Sequence, residues 1–128
     1  MRREVLPTDH LEAQLASICH SRSILAAAEL EILEELDRRQ VATRDGSRSL
    51  SEWVSTRLDV SLVSAKSLVR TMRRTVDRPD LREALATGEV SFDRVEALSK
   101  IQDDVGLLSH LDVGGVYREA ATAYPDHR

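Results

Sequence analysis

Six polar side chains on one short stretch are best placed to do chemistry: Ser64, Lys66, Ser67, Arg70, Arg73 and Arg74. Cations at this density neutralise phosphates, and Arg or Lys can also read guanine edges in a major groove. Ser64 and Ser67 are small enough to let a helix approach base edges. Arg70, Arg73 and Arg74 come later on the same helix, where phosphates are the nearer target. The chain has no asparagine, which removes one adenine reader. The competing reading is that these arginines form a solvated face on an ordinary packed helix. Other reactive types are poorly arranged. Cys19 and His20 are neighbours, so on a helix their side chains diverge by about 100°. A thiolate–imidazole pair needs facing groups, and Cys19 reads as an inert core residue. Asp103–Asp104 reads as a solvated loop or helix start rather than a metal pair. His10, His20, His110 and His127 are dispersed. There is no phosphate-cradling glycine loop, no H-E-x-x-H and no G-x-S-x-G. The expectation is a non-catalytic chain with no metal and no cofactor.

Charge placement favours that stretch over the rest of the chain. The 128 residues carry a net charge of −4, which argues mildly against a general nucleic-acid binder. Residues 57–82, however, hold seven cations against three acids, net +4. Acidic segments flank them. Local potential steers a polyanion at short range, because the Debye length is only about 8 Å in physiological salt. Aromatics are 3% and hydrophobic residues 41%, so the core must be aliphatic, a composition that leans to helix. One cysteine excludes an internal disulfide. No apolar run reaches the roughly 20 residues of a membrane span, and no secretory signal opens the chain. A reducing, cytoplasmic setting is the expectation.

The elements that must position these residues are helices. Asp9 reads as the N-cap of a long helix to Gln40, free of Gly and Pro. Along it Leu11, Leu15, Ile18, Leu25, Ala28, Ile32 and Leu36 share one face. Arg22 and Glu29 interrupt that stripe two turns apart. They either snorkel and pair at the core edge, or form a polar layer that sets register against a partner helix. The helix spans about 45 Å at 1.5 Å per residue. Shorter helices behind it cover only part of that length, so the stripe stays wet unless the remaining chain or a second subunit covers it. Residues 41–48 read as a polar loop with Gly46. Ser49 with Glu52 is a capping box for a helix to about Leu58, burying Leu50, Trp53, Val54 and Leu58. Trp53 is expected to be structural. Asp59 or Val60 must take the turn conformation, and Ser61 caps the next helix. Ala65, Leu68, Val69, Met72 and Val76 mark its buried stripe, with Thr71 among the outer residues. Pro79 opens another helix that Gly88 ends, and Ser91 caps the one after it.

Helix, short polar turn, helix over residues 50–75 is the organisation of a helix-turn-helix. The segment G-S-R-S-L-S-E-W-V-S-T-R-L-D-V-S at 46–61 resembles a signature of the actinobacterial domain-of-unknown-function 222 (DUF222) family, also called the 13E12 repeat family. The match continues through A-K-S-L-V-R-T-M-R-R at 65–74 and P-D-L-R-E-A-L-A-T-G-E-V-S-F-D-R-V-E-A-L at 79–98. It covers roughly residues 10–102. The resemblance implies a helical region that family members commonly place ahead of a histidine-asparagine-histidine (HNH) nuclease domain. Such a site needs clustered His and Asn. This sequence has no Asn and stops at Arg128, so a short form, a truncated copy or a fragment is expected.

The expected fold is all-α: a long N-terminal helix followed by a helix-turn-helix-like core of short helices. Residues 1–8 read as a tail and 9–102 as the helical domain. Within it the long helix covers 9–40, the helix-turn-helix-like pair 49–76, and two helices 79–87 and 91–102. Residues 103–128 read as a weakly defined helical segment and tail. The function expected is a non-catalytic module binding nucleic acid, duplex DNA above all, through Ser64, Lys66, Ser67, Arg70, Arg73 and Arg74. The alternative is a helical interaction module, with the helix at 10–40 forming a homodimer and no direct nucleic-acid contact. No membrane partner is expected.

Overall fold

The computed structural model describes residues 2–104. After a 3-10 turn at Arg3–Val5 come α1 (Thr8–Arg38), α2 (Val41–Arg44), α3 (Leu50–Leu58), α4 (Leu62–Arg74), α5 (Pro79–Ala86) and α6 (Phe92–Asp104). The fold is all-α, and no strand occurs among the described residues. The C-terminal segment expected over 103–128 lies outside the described residues beyond Asp104.

Local chemistry sets most helix boundaries. The Ser49 hydroxyl accepts the Glu52 N–H at 3.1 Å and caps α3. Ser61 caps α4 by accepting the Ser64 N–H at 3.0 Å, and Ser91 accepts the Arg94 N–H at 3.2 Å at the start of α6. Pro79 sits in the first turn of α5. Gly88 ends that helix at φ +79°. There the Glu89 N–H donates to Ala84 O (2.9 Å) and the Gly88 N–H to Leu85 O (3.0 Å), the paired bonds of a Schellman motif. Asp9 does not cap α1. Pro7 precedes the helix, and Asp9 lies in its first turn, accepting the His10 N–H. The loop expected at 41–48 contains α2, because Gln40 takes a left-handed conformation (φ 55°) and turns Val41 and Ala42 into the core.

Leu30, Leu33, Val54, Val69, Met72, Leu81, Leu85, Val90, Val95 and Leu98 make the centre of the core. Each such side chain withdrawn from water contributes about 1.5–3 kcal/mol. α1 packs across α4 and α5, α3 pairs with α4, and α6 closes on α4 and α5. Trp53, Leu36, Leu68 and Phe92 pack on the edge of this cluster.

The long helix buries a different face from the apolar stripe. Ser23, Ala26, Ala27, Leu30 and Leu33 point into the core, and no residue of α1 before Ser23 is buried. Leu15 (55% exposed), Ile18 (52%), Leu25 (66%) and Ile32 (63%) face solvent. Small alanines let α1 approach α4 and α5 closely, whereas the larger leucine stripe lies about a quarter-turn or more round the helix. Leu58 and Val76, expected inside, are also exposed, and Cys19 is exposed rather than a core residue.

Candidate nucleic-acid interface

α3 and α4 follow each other across a short turn that contains no glycine. Asp59 supplies the left-handed residue, with φ 55° and ψ 49°. Ser55 then locks the corner: its hydroxyl donates to Val60 O at 2.7 Å, and the Val60 N–H donates to Ser55 O at 3.2 Å. On α4, Ala65, Val69, Thr71 and Met72 are buried. Lys66, Arg70 and Arg73 are exposed, with Ser67 and Arg74 half-buried beside them. By helical rotation Lys66, Ser67, Arg70, Arg73 and Arg74 occupy one outer surface. Ser64 is exposed too, but about 120° round from Arg70. Its hydroxyl accepts from that of Ser61 at 3.0 Å.

Several of these groups already have partners. Arg73 makes a two-pronged ion pair with Asp37 at the end of α1, at 3.1 and 3.2 Å. The Ser67 hydroxyl donates to a Glu96 carboxylate oxygen on α6. Elsewhere in the basic stretch, Arg57 pairs with Asp45 at 2.9 Å and lies 4.9 Å over the Trp53 ring. Arg78 pairs with Asp80 at 2.8 Å. Arg82 bonds three groups at once: Thr75 Oγ1 at 2.7 Å, Met72 O at 2.9 Å and Glu34 at 3.0 Å. Much of the positive charge between residues 57 and 82 is therefore neutralised at home. Among the described residues, Lys66 and Arg70 have no hydrogen-bond or ion-pair partner.

Sequence reasoning missed one outer residue and misplaced another. Val63 is 79% exposed in the first turn of α4, in line with Lys66 and Arg70. An apolar side chain there can meet a thymine methyl. The only signal for it is a valine one turn before Lys66, off the buried stripe. Thr71, expected on the outside, is fully buried, and its hydroxyl has no hydrogen-bond partner. α6 covers that side of α4, which the sequence of α4 alone cannot reveal.

Trp53 is anchored, as its expected structural role requires. Its Nε1–H donates to Asp45 at 2.9 Å, and that hydrogen bond, with Arg44 and Arg57 nearby, holds the Asp45 carboxyl below its ordinary range against a smaller upward push from burial. Among the described residues no three His, Cys, Asp or Glu side chains gather as a metal site. No helix among them is long and apolar enough to cross a membrane.

Residues 12–123 match the family model described as Domain of unknown function (DUF222). No curated protein and no solved structure matches the chain.

Proposed function

We propose that this chain, which belongs to the DUF222 family, is a non-catalytic module that binds duplex DNA in the cytoplasm through the outer surface of α4. Its support is one observation: Lys66 and Arg70 stand exposed and unpaired among the described residues, in line with exposed Val63, on the second helix of the α3–α4 pair, which we read as a helix–turn–helix. Val63 in the first turn is short enough to admit close approach to base edges. Lys66 and Arg70 then reach phosphates. Asp37 and Glu96 border the surface on either side, so phosphate contact is confined to the middle of α4.

Few free cations predict modest affinity with a measurable salt dependence. Binding to duplex DNA, followed by fluorescence anisotropy over a salt series, should give log K falling with log salt by about 0.9 per phosphate neutralised. Lys66→Ala with Arg70→Ala should reduce that slope by up to about 2. Both side chains lie off the core, so the double variant keeps its fold. Unchanged affinity and slope in the folded variant would remove α4 as the binding surface. A helical interaction module is the second reading, favoured by the apolar stripe that α1 leaves in solvent.

A further inference from the structure

We infer that α1 pairs with α1 of a second copy of this chain as an antiparallel coiled coil, through the seam from Leu11 to Ile32 that it turns to solvent. This is independent of the DNA reading of α4. The seam repeats at alternating steps of four and three, the spacing that keeps one line of side chains facing a partner helix. Leu15, Ile18, Leu25 and Ile32 are each more than half exposed, although they are large and aliphatic. From Leu11 to Ile32 the seam runs about 32 Å at 1.5 Å per residue, three heptads. Between Ile18, Arg22 and Leu25 lies an open hollow of about 300 Å³, also bordered by Ser17 and Ser21, a place for a partner's side chain to seat.

Charge along the seam selects a second copy and its direction. Arg22 and Glu29 are the two charged residues of the seam, both exposed and seven apart. A parallel, in-register pair would stack Arg22 on the partner's Arg22 and Glu29 on the partner's Glu29. An antiparallel pair with its twofold axis near Leu25 instead brings Arg22 alongside the partner's Glu29, and Glu29 alongside the partner's Arg22. Both contacts are then attractive, and one self-complementary surface supplies both halves. Shape agrees. The first half of α1 projects with no residue buried before Ser23, whereas the second half lies on α4 and α5. Antiparallel pairing lays each projecting half along the exposed seam of the other copy's packed half.

Analytical ultracentrifugation of the full chain tests this at concentrations from about one to several hundred micromolar. Wild-type protein should associate to a dimer in that range, as expected of a seam only about three heptads long. Arg22→Glu and Glu29→Arg, each alone, should raise the dimer dissociation constant at least about tenfold, because each turns both attractive contacts into repulsive ones. An equimolar mixture of the two variants should recover a heterodimer near wild-type affinity. Leu25→Glu, at an exposed position, should abolish the dimer while circular dichroism shows unchanged helix content. In a parallel pair, Arg22→Glu exchanges one like-charge layer for another and leaves the constant unchanged. That result would overturn the antiparallel assignment. A monomer at every concentration, or a dimer indifferent to Leu25→Glu, would overturn the seam itself.

Discussion

Arg82 holds three helices together with one guanidinium. Its side chain is only 13% exposed, and it bonds Glu34 of α1, Thr75 just past α4, and the Met72 carbonyl near the end of α4. It therefore satisfies a helix-end carbonyl as well as a carboxylate. Arg82→Ala should cost about 2–4 kcal/mol by denaturant unfolding, because Glu34 and the Met72 carbonyl lose a charged donor. Arg82→Lys should restore little of it, since one ammonium cannot span the three directions of the planar fork. A loss below about 0.5 kcal/mol for Arg82→Ala would show that solvent replaces these bonds. Thr71 presents the opposite case. Its buried hydroxyl has no partner, while its methyl packs in the core. Thr71→Val keeps the shape and removes the unpaired group, so it should raise stability by about 1 kcal/mol. A fall in melting temperature would mean that the hydroxyl finds a partner in solution.

Gly88 decides how α5 ends and how closely α1 can lie to it. A side chain at φ +79° is strained whatever the space available. A Cβ there would also stand 2.2 Å from the His20 ring. His20 is exposed, and its ring can swing aside. The backbone cost then remains as the larger part. Gly88→Ala should destabilise by about 1–2 kcal/mol, and adding His20→Ala should leave that cost nearly unchanged. Full rescue by His20→Ala would make the steric contact dominant instead. The same reasoning explains the α3–α4 corner. Asp59 tolerates the left-handed conformation that a glycine would adopt more easily, and the paired Ser55–Val60 bonds hold it there.

At the scale of the whole molecule, carboxylates held by neighbouring donors make the fold sensitive to acid. The hydrogen bond from Arg39 beside Glu35 outweighs the upward push of burial and holds that carboxyl below its ordinary range. Trp53, Arg44 and Arg57 do the same for Asp45. At Asp80 burial pushes upward, but the Arg78 hydrogen bond and charge with two backbone donors outweigh it, and the net shift is downward. A carboxyl whose folded pKa lies below its unfolded value stabilises the fold above the unfolded value. That stability is lost as pH falls through the folded value. The melting temperature should therefore decline from about pH 5 downward, and Asp45→Asn should flatten part of the decline. A melting temperature independent of pH between about 5 and 3 would contradict the linkage. The proposed self-association would add a second whole-molecule signature, because a dimer makes the melting temperature rise with protein concentration.

The sequence by itself determined the longer helices and most of their ends. Ser49, Ser61, Ser91, Pro79 and Gly88 act through bonds and backbone preferences within a few residues, so their effects are legible without a fold. Family membership was legible for the same reason, in short ordered strings such as those at 46–61 and 79–98. The outer cations of α4 could be read as a group, because helical rotation alone places them. Tertiary structure decided which face of α1 is inside. Leucine periodicity announces a buried line, but α4 and α5 dock on the smaller Ala26 and Ala27 beside Leu30 and Leu33, where helices can approach closely, and leave the leucines outside. It also decided which cations remain unpaired. Arg73 lies 36 residues from Asp37, and Arg82 lies 48 from Glu34. Ion pairs at such separations exist only once the helices are packed, so net charge along the chain overstates the positive surface that the folded molecule offers.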